Sequence, residues 1–254
     1  MKSALIGCTG FVGSTLREQT NFSHFYHSTD IDEIEGQSFD LVVCAAAPAK
    51  KWYANLHPEE DLQNIKKLIG HLEKVNTQQF VLVSTVDVFK TPSNVDENSQ
   101  IVTDSLHPYG LHRYYLEEFV KTKFKNHLII RLPGLVGRGL RKNVLYDFKH
   151  NNQLQAINAD DIFQFYPMSN LWKDITISLD NNLSLVHLTA HPLQVSEIAQ
   201  KVFNLDFKNK LDRPSIRYDM QSIYASLWGK VHYQYDKDSS LEAIHSYSEN
   251  NEGN

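Results

Sequence analysis

The stretch Asp40-Leu41-Val42-Val43-Cys44-Ala45-Ala46 constrains the fold more than any other, because it is apolar at successive rather than alternate positions. A strand of that kind is buried on both faces, which is the habit of parallel sheets covered by helices on either side. The first 135 residues repeat the theme. Ala4–Cys8, Ser23–His27, Phe80–Ser84 and His127–Leu132 read as further strands. Phe11–Gln19, Glu59–Val75 and Tyr109–Lys121 read as helices, and in the second of these Leu62, Ile65, Leu68, Ile69, Leu72 and Val75 recur at helical spacing. Strands alternating with helices through right-handed crossovers predict an α/β fold, a doubly wound parallel sheet of Rossmann type. Residues 1–135 are expected to form that domain. Residues 136–254 are expected to form a small C-terminal substrate lobe, interleaved with the last strands and set at their carboxyl ends, where open parallel sheets take ligands. In it Leu185–Leu188 reads as an isolated strand before a helix at Gln194–Phe203, and the polar tail Ser246–Asn254 is expected to fray.

Charge and composition exclude several functions. Lys and Arg number 25 against 30 Asp and Glu, a net charge of −5, so no basic groove for nucleic acid is expected. The longest apolar run, Leu41–Ala47, is far short of the roughly 20 residues a membrane span requires. Met1-Lys2-Ser3 leads into a strand without a cleavable signal pattern, so a cytoplasmic location is expected. Cys8 and Cys44 cannot make a disulfide framework and read as small packing residues. None of the twelve histidines falls into a metal-binding pattern, and no metal is expected.

The chemistry begins at Gly7-Cys8-Thr9-Gly10-Phe11-Val12-Gly13, between the first strand and the first helix. Glycines there permit a tight turn and let backbone N–H groups approach a pyrophosphate at the helix N-terminus. The spacing is G-x-x-G-x-x-G, and its position at a strand-to-helix junction predicts dinucleotide binding.

That loop resembles the one in extended short-chain dehydrogenase/reductases, in the branch of NAD-dependent nucleotide-sugar epimerases and dehydratases. Further stretches resemble the family in the same order. Asp40–Ala47 is similar to its D-x-V-x-H-x-A-A strand, with Cys44 at the histidine, and Pro58 with Asn64-Ile65 is similar to its P…N-V helix. Val83-Ser84-Thr85-Val86-Asp87-Val88-Phe89 resembles V-S-S-x-x-V-Y, and Pro108-Tyr109-Gly110-Leu111-His112-Arg113 resembles P-Y-G-x-S-K with arginine at the lysine. Arg131–Gly137 resembles R-x-x-N-x-x-G with Gly134 at the asparagine, and His191–Ile198 resembles a late E-P-v-s-v-x-E-I segment.

The resemblance implies reversible hydride transfer with NAD, or NADP, at a hydroxyl of a nucleotide-linked sugar. It implies Thr85, Tyr109 and Arg113 as the catalytic set, the tyrosine acting as general acid/base. Arg113 is expected to lower the phenol's pKa, although it cannot relay a proton as lysine can. A non-catalytic dinucleotide-binding sensor of the same fold is the other reading. Cofactor contacts are expected from Gly7, Thr9, Gly10, Phe11, Val12, Gly13, Ala45, Ala46, Ser84 and Pro133. Asp30, 23 residues after Gly7, is expected at the adenosine ribose; alternatively Ser28–Ile31 begins the third strand, with Asp30 and Ile31 beside the adenine. No Lys or Arg lies between residues 18 and 49, which favours NAD, although Arg17 could reach a phosphate. Substrate contacts are expected from Lys50, Gly134, Arg141, Lys142 and Asn143, with Lys51, Trp52, Tyr53 and Trp172-Lys173-Asp174 nearby. The helices Glu59–Val75 and Tyr109–Lys121 are expected to pair with a second copy in a homodimer, since Leu111, Tyr114, Tyr115, Leu116, Phe119 and Val120 exceed one buried stripe.

Overall fold

Ser3–Ile6, buried at all four positions, forms strand β1 of a computed structural model that describes residues 1–250. It lies between β2, His24–Tyr26, and β3, Ser38–Cys44, and pairs parallel with both. β4, Asn76–Thr85, runs parallel to β3 with Val43 opposite Val81. The six-stranded sheet continues through His127–Leu132 and ends at Leu185–His187. That last strand is a correction to the sequence reading: it is the edge of the main sheet, not an isolated strand. Its partner lies far upstream in the chain, so local pattern could not reveal the pairing.

Contacts divide the chain into two units. One holds Met1–Lys90, Gln100–Arg131 and Trp172–Val186; the other holds Thr91–Ser99, Leu132–Leu171 and the chain from His187. In the first unit, β1 has β2 on one side and β3 on the other, so the chain reverses its direction of winding there. Ligands of open parallel sheets bind at such switch points. Helix α1, Phe11–Gln19, follows β1; α2, Lys51–Leu56, and α3, Pro58–Leu72, follow β3; α4 spans Pro108–Lys123. α3 starts with proline and three acidic residues, as a helix N-terminus favours, and buries Asp61, Ile65, Leu68 and Leu72 on one face. Phe80 stacks on Phe124 at 4.1 Å where β4 meets the end of α4. The segment Trp172-Lys173-Asp174, expected near substrate, instead anchors the helix Leu171–Asp180: the Trp172 N–H donates to Gln19 Oε1 at 2.8 Å and its ring meets Phe22 edge-on.

Among its described residues the second unit has three two-stranded ladders and the helices Val144–His150, Val195–Phe203 and Lys237–Glu249. The half-buried Glu97 carboxylate accepts the N–H groups of His187 and Ile223 and the Ser222 hydroxyl, at 2.7–2.9 Å, which pins Thr91–Ser99 into this unit. The expected fraying of the tail is corrected for Ser246–Glu249, which are helical, with Tyr247 buried; residues 251–254 lie outside the described residues. Among the described residues no group of three His, Cys, Asp or Glu side chains could hold a metal ion, and no helix is long and apolar enough to cross a membrane.

Candidate active site

The three loop glycines have different jobs. Gly7 takes φ +82°, and a Cβ there would lie 2.7 Å from the Ala45 carbonyl oxygen. A Cβ on Gly13 would lie 2.1 Å from the Gly7 oxygen. Both positions therefore seat the loop, with Ala45 and Ala46 forming the wall after β3. Gly10 meets no such wall, since its nearest atom would be 3.5 Å away. As the residue before α1 it provides no capping side chain, so the first-turn amides are left for another acceptor. Thr9 beside it is exposed, and Phe11 and Val12 are half-buried.

Asp30 accepts the His27 N–H at 2.5 Å, and Ile31 opens a single 3-10 turn, Ile31–Ile34. Ser28–Ile31 is thus not the start of the third strand: Ile31 and Ile34, three apart and both buried, fit a 3-10 turn, and β3 begins at Ser38. Cys8 and Cys44 are buried, as expected of packing residues, and burial pushes the Cys44 thiol up to about 11.

Tyr109 is placed by the start of α4. His107 precedes Pro108 and accepts the Gly110 N–H on Nδ1 at 3.0 Å. A Cβ on Gly110 would lie 2.0 Å from the Asp87 carbonyl oxygen, so glycine lets α4 press against the turn after β4. That turn, Val86–Val88, is capped by Thr85, whose hydroxyl oxygen accepts the Asp87 N–H at 3.2 Å. The same hydroxyl acts on the Tyr109 phenol in the direction of a lower pKa. The Tyr109 N–H donates to Asn55 Oδ1 at 3.0 Å, fixing the helix start from α2. The fold therefore brings Thr85, Tyr109 and Arg113 together.

Arg113 behaves differently from the expectation. Its guanidinium is buried 4.0 Å over the Tyr109 ring, bonded twice to Asp61 at 2.5 and 2.8 Å, and also to the carbonyls of Pro48 and Tyr109. Tyr109 is pushed up to about 12, chiefly by burial; Arg113 pulls the other way, while Asp87 and Asp61 add to the rise. The expected lowering is overturned because Asp61 offsets the guanidinium charge and water is excluded. Arg113 Nε is buried with no partner, a donor left for a ligand.

Asp61 and His112, whose Nδ1 sits 2.7 Å from Asp61 Oδ2, were missed by the sequence reading. A signal existed: Asp61 stands four residues before Ile65, on the stripe that α3 buries. Lys51 and Asp87 form an ion pair at 2.7 Å, and Lys50 and Trp52 are exposed. Ser84, expected at the cofactor, gives its hydroxyl inward to Glu117 at 2.5 Å, and Glu117 holds Arg131 in a fully buried pair. Alternation along β4 explains this, since adjacent side chains face opposite sides and Thr85 takes the other one.

No protein-family model matches the chain, and no curated protein sequence matches it either. Solved structures do. A Bordetella bronchiseptica enzyme, WbmG, in complex with NAD, superposes with TM-score 0.77 at 14% identity, over 97% of this chain and 93% of its own. dTDP-4-dehydrorhamnose reductase from Bacillus anthracis, in complex with NADP, gives 0.74 at 17% identity, over 97% and 98%. UDP-N-acetylglucosamine 4-epimerase from Methanobrevibacter ruminantium, in complex with UDP-N-acetylmuramic acid, gives 0.72 at 14%, over 97% and 96%. The chain has the fold of these reductases and epimerases.

Within the second unit of this reductase and epimerase fold, the expected substrate residues divide. Asn143 is a helix cap: its side-chain oxygen accepts the Leu145 and Tyr146 N–H groups and its amide donates to the Leu135 carbonyl, so its polar atoms are committed internally. Gly134 lies in a ladder where a Cβ would sit 2.6 Å from the Gln164 oxygen, which accounts for glycine in a place where asparagine was sought. Pro133 is buried, whereas Arg141 and Lys142 are exposed.

Proposed function

We propose that the chain is an NAD(P)-dependent oxidoreductase that acts by reversible hydride transfer on a nucleotide-linked sugar, as in reduction or epimerisation. The observation that carries this reading is Tyr109 at the start of α4, under the Arg113 guanidinium and beside the turn that Thr85 caps at the carboxyl end of β4, in the unit that also holds the glycine loop. The residues present fit a dinucleotide: Gly10 leaves room that a Cβ would take, α1 is uncapped, and Arg113 Nε is an orphaned donor suited to a ribose hydroxyl. A bound nicotinamide would supply or accept hydride. The chain's own part is to seat the pyrophosphate on Gly7–Gly13, to hold the reacting oxygen with Thr85, and to give or take a proton at the Tyr109 oxygen. Arg141 and Lys142 are exposed in the second unit and offer positive charge to a nucleotide diphosphate. Asp30 and the lack of Lys or Arg between residues 18 and 49 favour NAD, while WbmG and the dehydrorhamnose reductase were crystallised with NAD and NADP respectively.

The same reading includes a cytoplasmic protein that pairs with a second copy through α3 and α4. Tyr115 is exposed, and Leu111, Tyr114 and Phe119 are only half-buried, leaving apolar area on the outer face of α4. A dimeric mass by light scattering at micromolar protein is the expected result; a monomer contradicts it.

The non-catalytic alternative draws support from Arg113, which is locked to Asp61 and cannot move a proton. The deciding experiment incubates the protein with reduced NAD or NADP and a panel of nucleotide-linked keto-sugars. Oxidation of the nicotinamide supports the enzyme; dinucleotide binding without oxidation across the panel supports the sensor.

A further inference from the structure

Resting on the enzymatic reading above, we propose that Lys51, acting through Asp87 and Thr85, supplies the proton to Tyr109 that the residue at position 113 cannot. Four observations lead there. Arg113 is bonded at both terminal nitrogens to Asp61, covers the Tyr109 ring, and has no proton to release. Tyr109 is nearly sealed from water, so a proton lost from its phenol needs a path inward. The Thr85 hydroxyl donates to Asp87 Oδ2 at 3.5 Å and acts on the Tyr109 phenol in the direction of a lower pKa. Asp87 Oδ1 is 2.7 Å from Lys51 Nζ, and the Lys51 side chain is 40% exposed against 14% for Asp87. The line from phenol to hydroxyl to carboxylate to ammonium therefore runs from a buried acid to solvent.

In the reducing direction a bound reduced nicotinamide would supply hydride to a carbonyl carbon of the sugar, and the carbonyl oxygen would take the Tyr109 proton. The phenolate recovers a proton from the Thr85 hydroxyl, and Thr85 from the Asp87 carboxyl. Asp87 takes its proton from Lys51, turning about its Cβ–Cγ bond to pass one on, and Lys51 is recharged by water. Each relay group gains one proton and loses one. The charged groups around the phenol are Arg113 on its own helix, Asp61 from α3, and Asp87 from the turn after β4. Lys51 from α2 pairs with Asp87, and His107 senses both of them.

The test compares Lys51→Gln, Lys51→Arg and Lys51→Ala with the parent chain for nicotinamide oxidation by keto-sugar nucleotides. The relay requires Lys51→Gln to lose about tenfold or more in kcat with dinucleotide affinity and melting temperature retained. Lys51→Arg, which keeps charge but not the proton, should stay low, and added methylamine should raise the rate of Lys51→Ala. An unchanged Lys51→Gln, full recovery in Lys51→Arg, or no response to methylamine each overturns the relay. A second readout needs no turnover. Burial, and after it the Lys51 ammonium, hold the His107 imidazole below its ordinary pKa, so Lys51→Gln should raise the His107 titration midpoint seen by NMR. An unmoved midpoint refutes the relay, whereas a parent chain that binds dinucleotide but never oxidises it refutes the enzymatic reading instead.

Discussion

Arg113 and Asp61 meet in a two-pronged ion pair at 2.5 and 2.8 Å, although they stand on different helices and 52 residues apart in the chain. Both side chains are almost wholly buried, at 3% and 4% exposure. The pair makes the cation beside Tyr109 a clamp between α3, α4 and the Pro48 carbonyl rather than a mobile charge. Removing one partner of a buried pair strands the other charge away from water. Asp61→Ala should therefore destabilise the protein by about 3–5 kcal/mol, read as a drop in the urea midpoint. A loss below 1 kcal/mol would show that Arg113 finds other partners or solvent.

The glycine loop yields a contrast within one segment. Gly13→Ala places a Cβ 2.1 Å from the Gly7 oxygen and should damage folding. Gly10→Asp places its Cβ in ordinary contact, so the protein should melt normally. It should nonetheless lose NAD(P) binding, because the side chain fills the seat and repels the pyrophosphate. Calorimetry together with thermal melts checks both; dinucleotide binding by Gly10→Asp at parental affinity contradicts the assignment.

Much of this was legible in the sequence, for identifiable reasons. β3 and α1 follow from local pattern, and the grouping of Thr85, Tyr109 and Arg113 was implied by the resemblance of their two segments to the dehydrogenase/reductase family. What was not legible depends on contacts between distant residues. The spacing of Tyr109 and Arg113 suggested a cation lowering a phenol's pKa, yet the outcome was set by Asp61, from another helix, and by burial. Gly134 and Asn143 looked available for substrate until the close approach of Gln164 and the cap on Leu145 were seen. The strand Leu185–His187 looked isolated because its neighbour is remote in sequence.

Tyr109 carries a pH signature. Its phenol is pushed from an ordinary value near 10 up to about 12 in the folded chain, so the folded state holds a proton that the unfolded state releases. Stability from this group is present in full below pH 10 and lost as pH rises from 10 toward 12. Other tyrosines titrate in both proteins, so the comparison is with Tyr109→Phe. The parent should lose up to roughly 2 kcal/mol relative to that variant across this window. Parallel stability curves would mean that the phenol is not held up by burial.

Glu117 and Arg131 give a control outside the proposed chemistry. The carboxylate also takes the Ser84 hydroxyl, and the Arg131 guanidinium lies over the Phe89 ring at 5.1 Å. Glu117→Ala should cost about 3–5 kcal/mol by leaving a buried cation unpaired. Arg131→Met with Glu117→Leu should recover a large part of that loss, measured by chemical denaturation. A double variant no better than the single would show that the network is needed for more than charge balance.

The most direct test of the central claim is a single-turnover measurement with reduced nicotinamide dinucleotide and a nucleotide-linked keto-sugar, following the nicotinamide absorbance in the parent chain and in Tyr109→Phe. The parent should oxidise the nicotinamide and the variant should lose about 10²-fold or more in rate, with dinucleotide affinity nearly unchanged. Equal rates in the two proteins would contradict the claim that the Tyr109 phenol moves the proton in this site.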